Sequence, residues 1–275
     1  MKKSNIEAMK VRRSIRSYGK RTMNHATEGQ LQDYIRYVKH PFDAKIRIEY
    51  LKNKNSNGNQ RLGTYGIIKN PQAFLVVICD RSPLAEETLG YTFEKVILYC
   101  TQLGLGTCWL GGTFNKGGFA DRVELKNNEM LPIVSPVGTA TTKPSLVSKT
   151  MSLMTKQHSR KEYETLFFKD SWNMPLTQKS AGRFGIPFEM IRLAPSSRNC
   201  QPWKILLEET GTETRIHFFR TEPRSMNRID LGIAMCHFDL ACQELGINGR
   251  FKKIELAPIL IPENNFYTIS WIAEN

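Results

Sequence analysis

No stretch of this sequence comes near the roughly 20 consecutive apolar residues of a membrane-spanning helix, so a helical membrane span is not expected. Histidine is scarce: the 5 residues are scattered and never take ligand spacing. The 6 cysteines (Cys79, Cys100, Cys108, Cys200, Cys236, Cys242) include no close metal-type pair, so no metal centre is expected and the thiols read as free and mostly buried. Low-complexity tracts are missing too. With 275 residues, 40% of them apolar and 24% charged, the composition is that of a folded protein able to bury a substantial core. Met1-Lys2-Lys3-Ser4-Asn5 leads to Glu7 and further basic residues rather than to an apolar stretch, so no secretory signal is read and a cytoplasmic protein is expected. Gly104-Leu105-Gly106 ends a helix and lacks a third glycine, which argues against a dinucleotide fingerprint.

What the chain has in excess is positive charge, +13 overall, and a basic surface attracts polyanions and phosphorylated ligands alike. Yet Lys2, Lys3, Arg36, Lys39, Lys126, Lys179, Arg228 and Lys252 are spread along the sequence. They form no helical stripe and accompany no RNA-binding aromatic motif, so a nucleic-acid partner is not expected.

The two halves carry one plan. Leu89-Gly90-Tyr91 through Leu103-Gly104-Leu105 returns as Leu231-Gly232-Ile233 through Leu245-Gly246-Ile247, a constant offset of 142 that pairs Leu98 with Leu240 and Cys100 with Cys242. At that offset Phe74-Leu75-Val76-Val77-Ile78 falls on Ile216-His217-Phe218-Phe219-Arg220. Phe93, Val96, Ile97, Cys100 and Leu103 form a helical core stripe that Gly104 terminates. Periodicity further predicts helices over 5–18, 28–38, 83–103 and 229–245, with shorter ones before and around 189–193. Strands are predicted over 45–51, 73–79, 133–137, 204–208, 215–219 and 267–272. Residues 53–63 read as an exposed loop and 139–150 as a linker, which divides the chain into repeats 1–146 and 147–275 facing one another as a pseudo-dimer.

Two polar motifs break this symmetry. Arg12-Arg13-Ser14-Ile15-Arg16 occurs only in the first half and offers three permanent cations and a hydroxyl, suited to a phosphate and to the electron-rich edge of a planar ring. Ala194-Pro195-Ser196-Ser197-Arg198-Asn199-Cys200-Gln201-Pro202-Trp203 occurs only in the second, where two prolines constrain a polar loop that ends in a large aromatic. A site needing both can be built only once.

These motifs, with the Leu110-Gly111-Gly112 loop after a long helix and Ser159-Arg160-Lys161-Glu162, make the chain resemble the nitroreductase-like FMN-dependent family, in its single-chain, two-repeat form. The resemblance implies an α+β nitroreductase-like fold whose repeats together bind one FMN. It implies phosphate contacts from Arg12, Arg13, Arg160 and Lys161, ribityl contact from Ser14, and Arg16 at the pyrimidine edge of the flavin, with Lys69 reaching the same edge. Leu110, Gly111 and Gly112 would pass the flavin N5, and Pro195, Ser196, Ser197 and Asn199 would line the ring and ribityl from the opposing half. The implied activity is hydride transfer from NAD(P)H through FMN to a nitroaromatic, quinone or other small acceptor, with no catalytic side chain and with a monomer sufficient for the site. A flavin carrier or sensor with a covered ring face is the alternative.

Overall fold

The computed structural model describes residues 3–19, 23–53, 63–141, 159–211, 213–256 and 264–274. Most of the predicted 53–63 loop and of the 139–150 linker lies outside them. The chain forms two compact units, Val11–Gln157 with Met1–Lys3 in one, and Ser4–Lys10 with His158–Asn275 in the other.

The first unit is built on a four-stranded sheet of order β1-β2-β4-β3, from β1 (Ile46–Lys52), β2 (Ala73–Cys79), β3 (Gly106–Thr107) and β4 (Met130–Gly138), all pairs antiparallel. β2 is central and buried along its whole length, as a seven-residue apolar run requires. Its pleat sends Phe74, Val76 and Ile78 into a cluster with Leu110, Phe114, Phe119 and Leu131, at about 1.5–3 kcal/mol per buried side chain. Its helices are α2 (His25–Tyr37), α3 (Ala85–Gln102) and α4 (Lys116–Arg122), while α1 (Asn5–Val11) belongs, save for its last residue, to the second unit.

The second unit repeats the order with β7 (Trp203–Glu209), β8 (Thr214–Arg220), β10 (Phe266–Ala273) and β9 (Gly249–Lys252), and extends it by β5 (Phe167–Lys169) and β6 (Ser171–Pro175). Its helices are α5 (Gly185–Leu193) and α6 (Ser225–Glu244). Phe184, Phe188, Phe238 and Trp271 form a chain of ring contacts at 5.2–6.2 Å that welds α5 and α6 to the sheet.

The duplication is visible in hydrogen bonds. At the end of α3, Leu105 N–H donates to Cys100 O and Gly104 N–H to Thr101 O; at the end of α6, Ile247 N–H donates to Cys242 O and Gly246 N–H to Gln243 O. Both glycines are left-handed, at φ +75° and +71°. The same two-bond helix cap thus recurs at the 142-residue offset.

One expectation needs correction, and several elements were not expected. The helix read over 5–18 ends at Val11, because residues 14–18 pair with strand and loop backbone instead. The loop after Gly112 contains α4, whose N-cap Asn115 accepts a hydrogen bond from Gly118 N–H. Strands β5, β6 and β9 carry no clean alternation, and β5 depends on a parallel partner, β7, almost forty residues away.

Candidate functional site

In the first unit the arginine cluster is extended. Ile15 N–H donates to Thr107 O at 2.8 Å, Lys69 N–H to Arg16 O at 2.9 Å and Tyr18 N–H to Lys69 O at 3.0 Å. The buried Tyr18 hydroxyl donates toward Ile15 O and Pro136 O, pinning the segment to β4. Gly106 permits the close approach to β3, since a Cβ there would lie 2.8 Å from the Ile15 Cβ.

Extended backbone puts alternate residues on one side. Arg12 and Arg16 are buried while Arg13 is exposed and donates to Arg12 O. Arg12, Ser14 and Arg16 surround the Cys108 thiol: burial raises its pKa, while the charge of Arg16, a hydrogen bond with Ser14 and the charge of Arg12 oppose that rise. Arg12 Nε lies 3.9 Å from Glu94 Oε1, and Glu94 Oε2 accepts the Trp109 indole N–H at 2.9 Å. Burial lowers the Arg12 pKa and Glu94 counters it, so Arg12 stays a cation.

Arg12 Nε and Nη1 and Arg16 Nε are buried and have no hydrogen-bond acceptor among the described residues. A buried donor left unmade costs about 1–3 kcal/mol, more on a charged group, and a ligand rich in acceptor oxygens and ring nitrogens would recover it. Lys69 is brought beside Arg16 by the paired backbone, with its side chain exposed. Leu110 is buried and exchanges backbone hydrogen bonds with Val134, which leaves Gly111 and Gly112 exposed just beyond the sheet edge that carries Thr107.

In the second unit the remaining motif residues meet around one loop. Arg198, Asn199 and Gln201 have φ of +50°, +58° and +47°. Arg160 Nη1 donates to Asn199 Oδ1 at 2.8 Å, and Asn199 Nδ2 donates to Ser159 O at 2.8 Å. Lys161 N–H donates to Gln201 Oε1 and Lys161 Nζ to Gln201 O, while Gln201 N–H donates to Ser196 Oγ. Partial burial holds the Lys161 ammonium below the ordinary lysine pKa. Ser197 N–H donates to both carboxylate oxygens of Asp230 at 3.0 Å, and burial pushes that carboxyl up to about 7. Pro195 is half-buried, Ser197 exposed, and Trp203 wholly buried at the start of β7.

Sequence reasoning passed over Glu94, Cys108, Gln201 and Asp230. Gln201 stood inside a quoted motif. Glu94 and Asp230 were detectable as acids set in the buried faces of apolar helices. A groove of about 500 Å³ between α2 and β1, lined by Gln32, Arg36, His40 and Tyr50 among others, contains none of the motif residues and plays no part in this assignment. Among the described residues no helix is long and apolar enough to cross a membrane, and no group of three or more His, Cys, Asp or Glu could hold a metal.

The architecture is that of the α+β nitroreductase-like proteins. It resembles the crystal structure of a "putative nitroreductase" of Thermotoga maritima at 19% identity, with 99% of this chain and 94% of that one covered and a TM-score of 0.57. Two further structures match about half of the chain. A nitroreductase family protein of Clostridium difficile shows 18% identity, covering 54% of this chain and 91% of its own, with a TM-score of 0.42. An FMN-dependent nitroreductase of the same species shows 15% identity, covering 50% and 88%, with a TM-score of 0.39. No curated protein matches the sequence. Residues 5–242 match the model of the family described as "Putative TM nitroreductase". The chain belongs to that family, and its broad class is oxidoreductase.

Proposed function

We propose that the protein is an FMN-dependent oxidoreductase that takes reducing equivalents from NAD(P)H and delivers them to a nitroaromatic, quinone or other small electron acceptor. The observation that carries this reading is the set of buried Arg12 and Arg16 guanidinium atoms with no hydrogen-bond acceptor among the described residues. Such groups are costly in an empty site and suited to one that holds phosphate and a ring edge. The chemistry supplied by bound FMN is hydride transfer at N5.

In this reading Arg12 and Arg13, with Arg160 and Lys161, hold the phosphate, and Ser14 the ribityl chain. Arg16 places a fixed cation at the pyrimidine edge, stabilising negative charge there without moving a proton, and Lys69 supports it. Leu110, Gly111 and Gly112 present backbone beside N5. Pro195, Ser196, Ser197 and Asn199 contribute to the ring and ribityl part of the site, and repeats 1–146 and 147–275 together bind one FMN. Support comes from the family, the single occurrence of each motif and the unmatched donors of the first unit.

The decisive experiment is the absorption spectrum of the purified protein with and without added FMN, followed by NADH or NADPH under anaerobic conditions. One flavin per chain, bleached by a reduced nicotinamide and reoxidised by a quinone, is the expected result. A stoichiometry near two contradicts the single composite site, and a bound flavin that neither donor bleaches assigns the protein to carriage or sensing.

A further inference from the structure

We infer that Asp230 and Gln201 are positioning residues that hold the Pro195–Trp203 loop in its site-forming shape before any ligand arrives. The inference rests on the proposed flavin site and concerns residues that the motif comparison leaves unassigned. Left-handed backbone at a non-glycine residue costs of order 1–3 kcal/mol, and this loop carries it at Arg198, Asn199 and Gln201. Such a loop persists only if its surroundings impose it.

Two anchors impose it. From below, Asp230 on α6, only 3% exposed, accepts the Ser197 N–H on both carboxylate oxygens at 3.0 Å. From the side, Gln201, also 3% exposed, accepts from Lys161 N–H through Oε1, donates to Asn199 O through Nε2, and donates its own N–H to Ser196 Oγ. The same bonds redefine the polar motif. Ser196 Oγ accepts the Gln201 N–H, and both ends of the Asn199 amide are engaged, by Arg160 and by Ser159. Ser196 and Asn199 therefore belong to the scaffold of the loop, and the exposed Ser197 is its ligand-facing hydroxyl.

The test measures hydrogen exchange of the peptide spanning residues 195–203 in the full-length protein, together with affinities for FMN and riboflavin, in Asp230→Ala and Asp230→Asn. Alanine removes the acceptor; asparagine keeps one oxygen for the Ser197 N–H. Asp230→Ala should lose about tenfold in exchange protection of this peptide, as one hydrogen bond predicts. It should also weaken FMN and riboflavin binding by the same factor, because the loop meets ring and ribityl and not the phosphate. Asp230→Asn should restore both to within about threefold of the parent. Unchanged protection in Asp230→Ala, in a variant that melts as a folded protein, overturns the inference. So does a loss that asparagine fails to rescue. If the parent takes up no flavin, the proposed function falls by itself, and exchange protection alone decides whether Asp230 anchors the loop.

Discussion

Trp109 donates its indole N–H to Glu94 at 2.9 Å, and the other oxygen of that fully buried carboxylate lies 3.9 Å from Arg12 Nε. One acid on α3 thereby fixes both the first cation of the arginine cluster and the segment that leads into Leu110-Gly111-Gly112. Removing one member of a buried pair strands the charge of the other. Glu94→Ala should cost about 3 kcal/mol of unfolding free energy, and Glu94→Gln less, since glutamine still accepts the indole bond. Urea denaturation of the two variants measures the difference; equal losses would show that the indole bond contributes nothing.

Arg12 and Arg16 serve different ends of the proposed ligand. Arg12→Ala should reduce the preference for FMN over riboflavin, by about 1.5–3 kcal/mol for a charge-assisted bond. Arg16→Ala should weaken both flavins and lower the reduction potential of the bound one, because a cation beside the reduced ring is lost. Titration calorimetry and a dye-coupled reduction read these separately. A preference for FMN that survives Arg12→Ala would remove Arg12 from the phosphate site.

Gly106→Ala tests whether packing controls the cluster. The added methyl would sit 2.8 Å from the Ile15 Cβ, close to backbone that cannot swing away, so the extended segment must shift off β3. The expected outcome is a flavin affinity at least about tenfold weaker alongside 1–3 kcal/mol of destabilisation, measured by fluorescence quenching and thermal unfolding. Retained affinity would mean that the segment's register on β3 does not matter to the site.

Asp230 predicts a pH dependence. In the folded chain its carboxyl keeps its proton up to about pH 7, while in the unfolded chain it releases it near the usual aspartate value. The folded state is the better proton binder between those limits, so stability falls as pH rises toward about 7 and stays lower above it. Asp230→Asn removes the slope. Relative to the parent, the variant should gain about 2–3 kcal/mol in unfolding free energy between pH 5 and pH 8, followed by urea titrations at each pH. Parallel pH profiles would show that the carboxyl ionises normally.

How much of this was readable in the sequence depends on how local each cause is. The Phe93-Val96-Ile97-Cys100 stripe and the Phe74–Ile78 run announce α3 and β2, because periodicity and burial are set within a few residues. Arg12–Arg16 could not be read as extended, since its partners are Thr107 and Lys69, distant in sequence, and its own composition suits a helix end. Each motif can be picked out of the sequence by its residues. What was not legible is the division of labour within it: that Arg13 faces solvent while Arg12 is buried, and that Asn199 holds Arg160. Glu94 and Asp230 stand out in sequence as acids on otherwise apolar helix faces, but only the packing around their helices shows that both are interior.

The assignment of Ser4–Lys10 to the second unit has a consequence for the order of synthesis. α1 opens with the N–H groups of Asn5 and Ile6 donating to Glu244, which is made 239 residues after Asn5. A seven-residue helix is too short to persist alone in water. α1 thus depends for its place on α6, which is made more than 200 residues later. Cutting the chain once between its repeats would leave the C-terminal piece without most of α1, because the boundary between the units crosses the chain at three points.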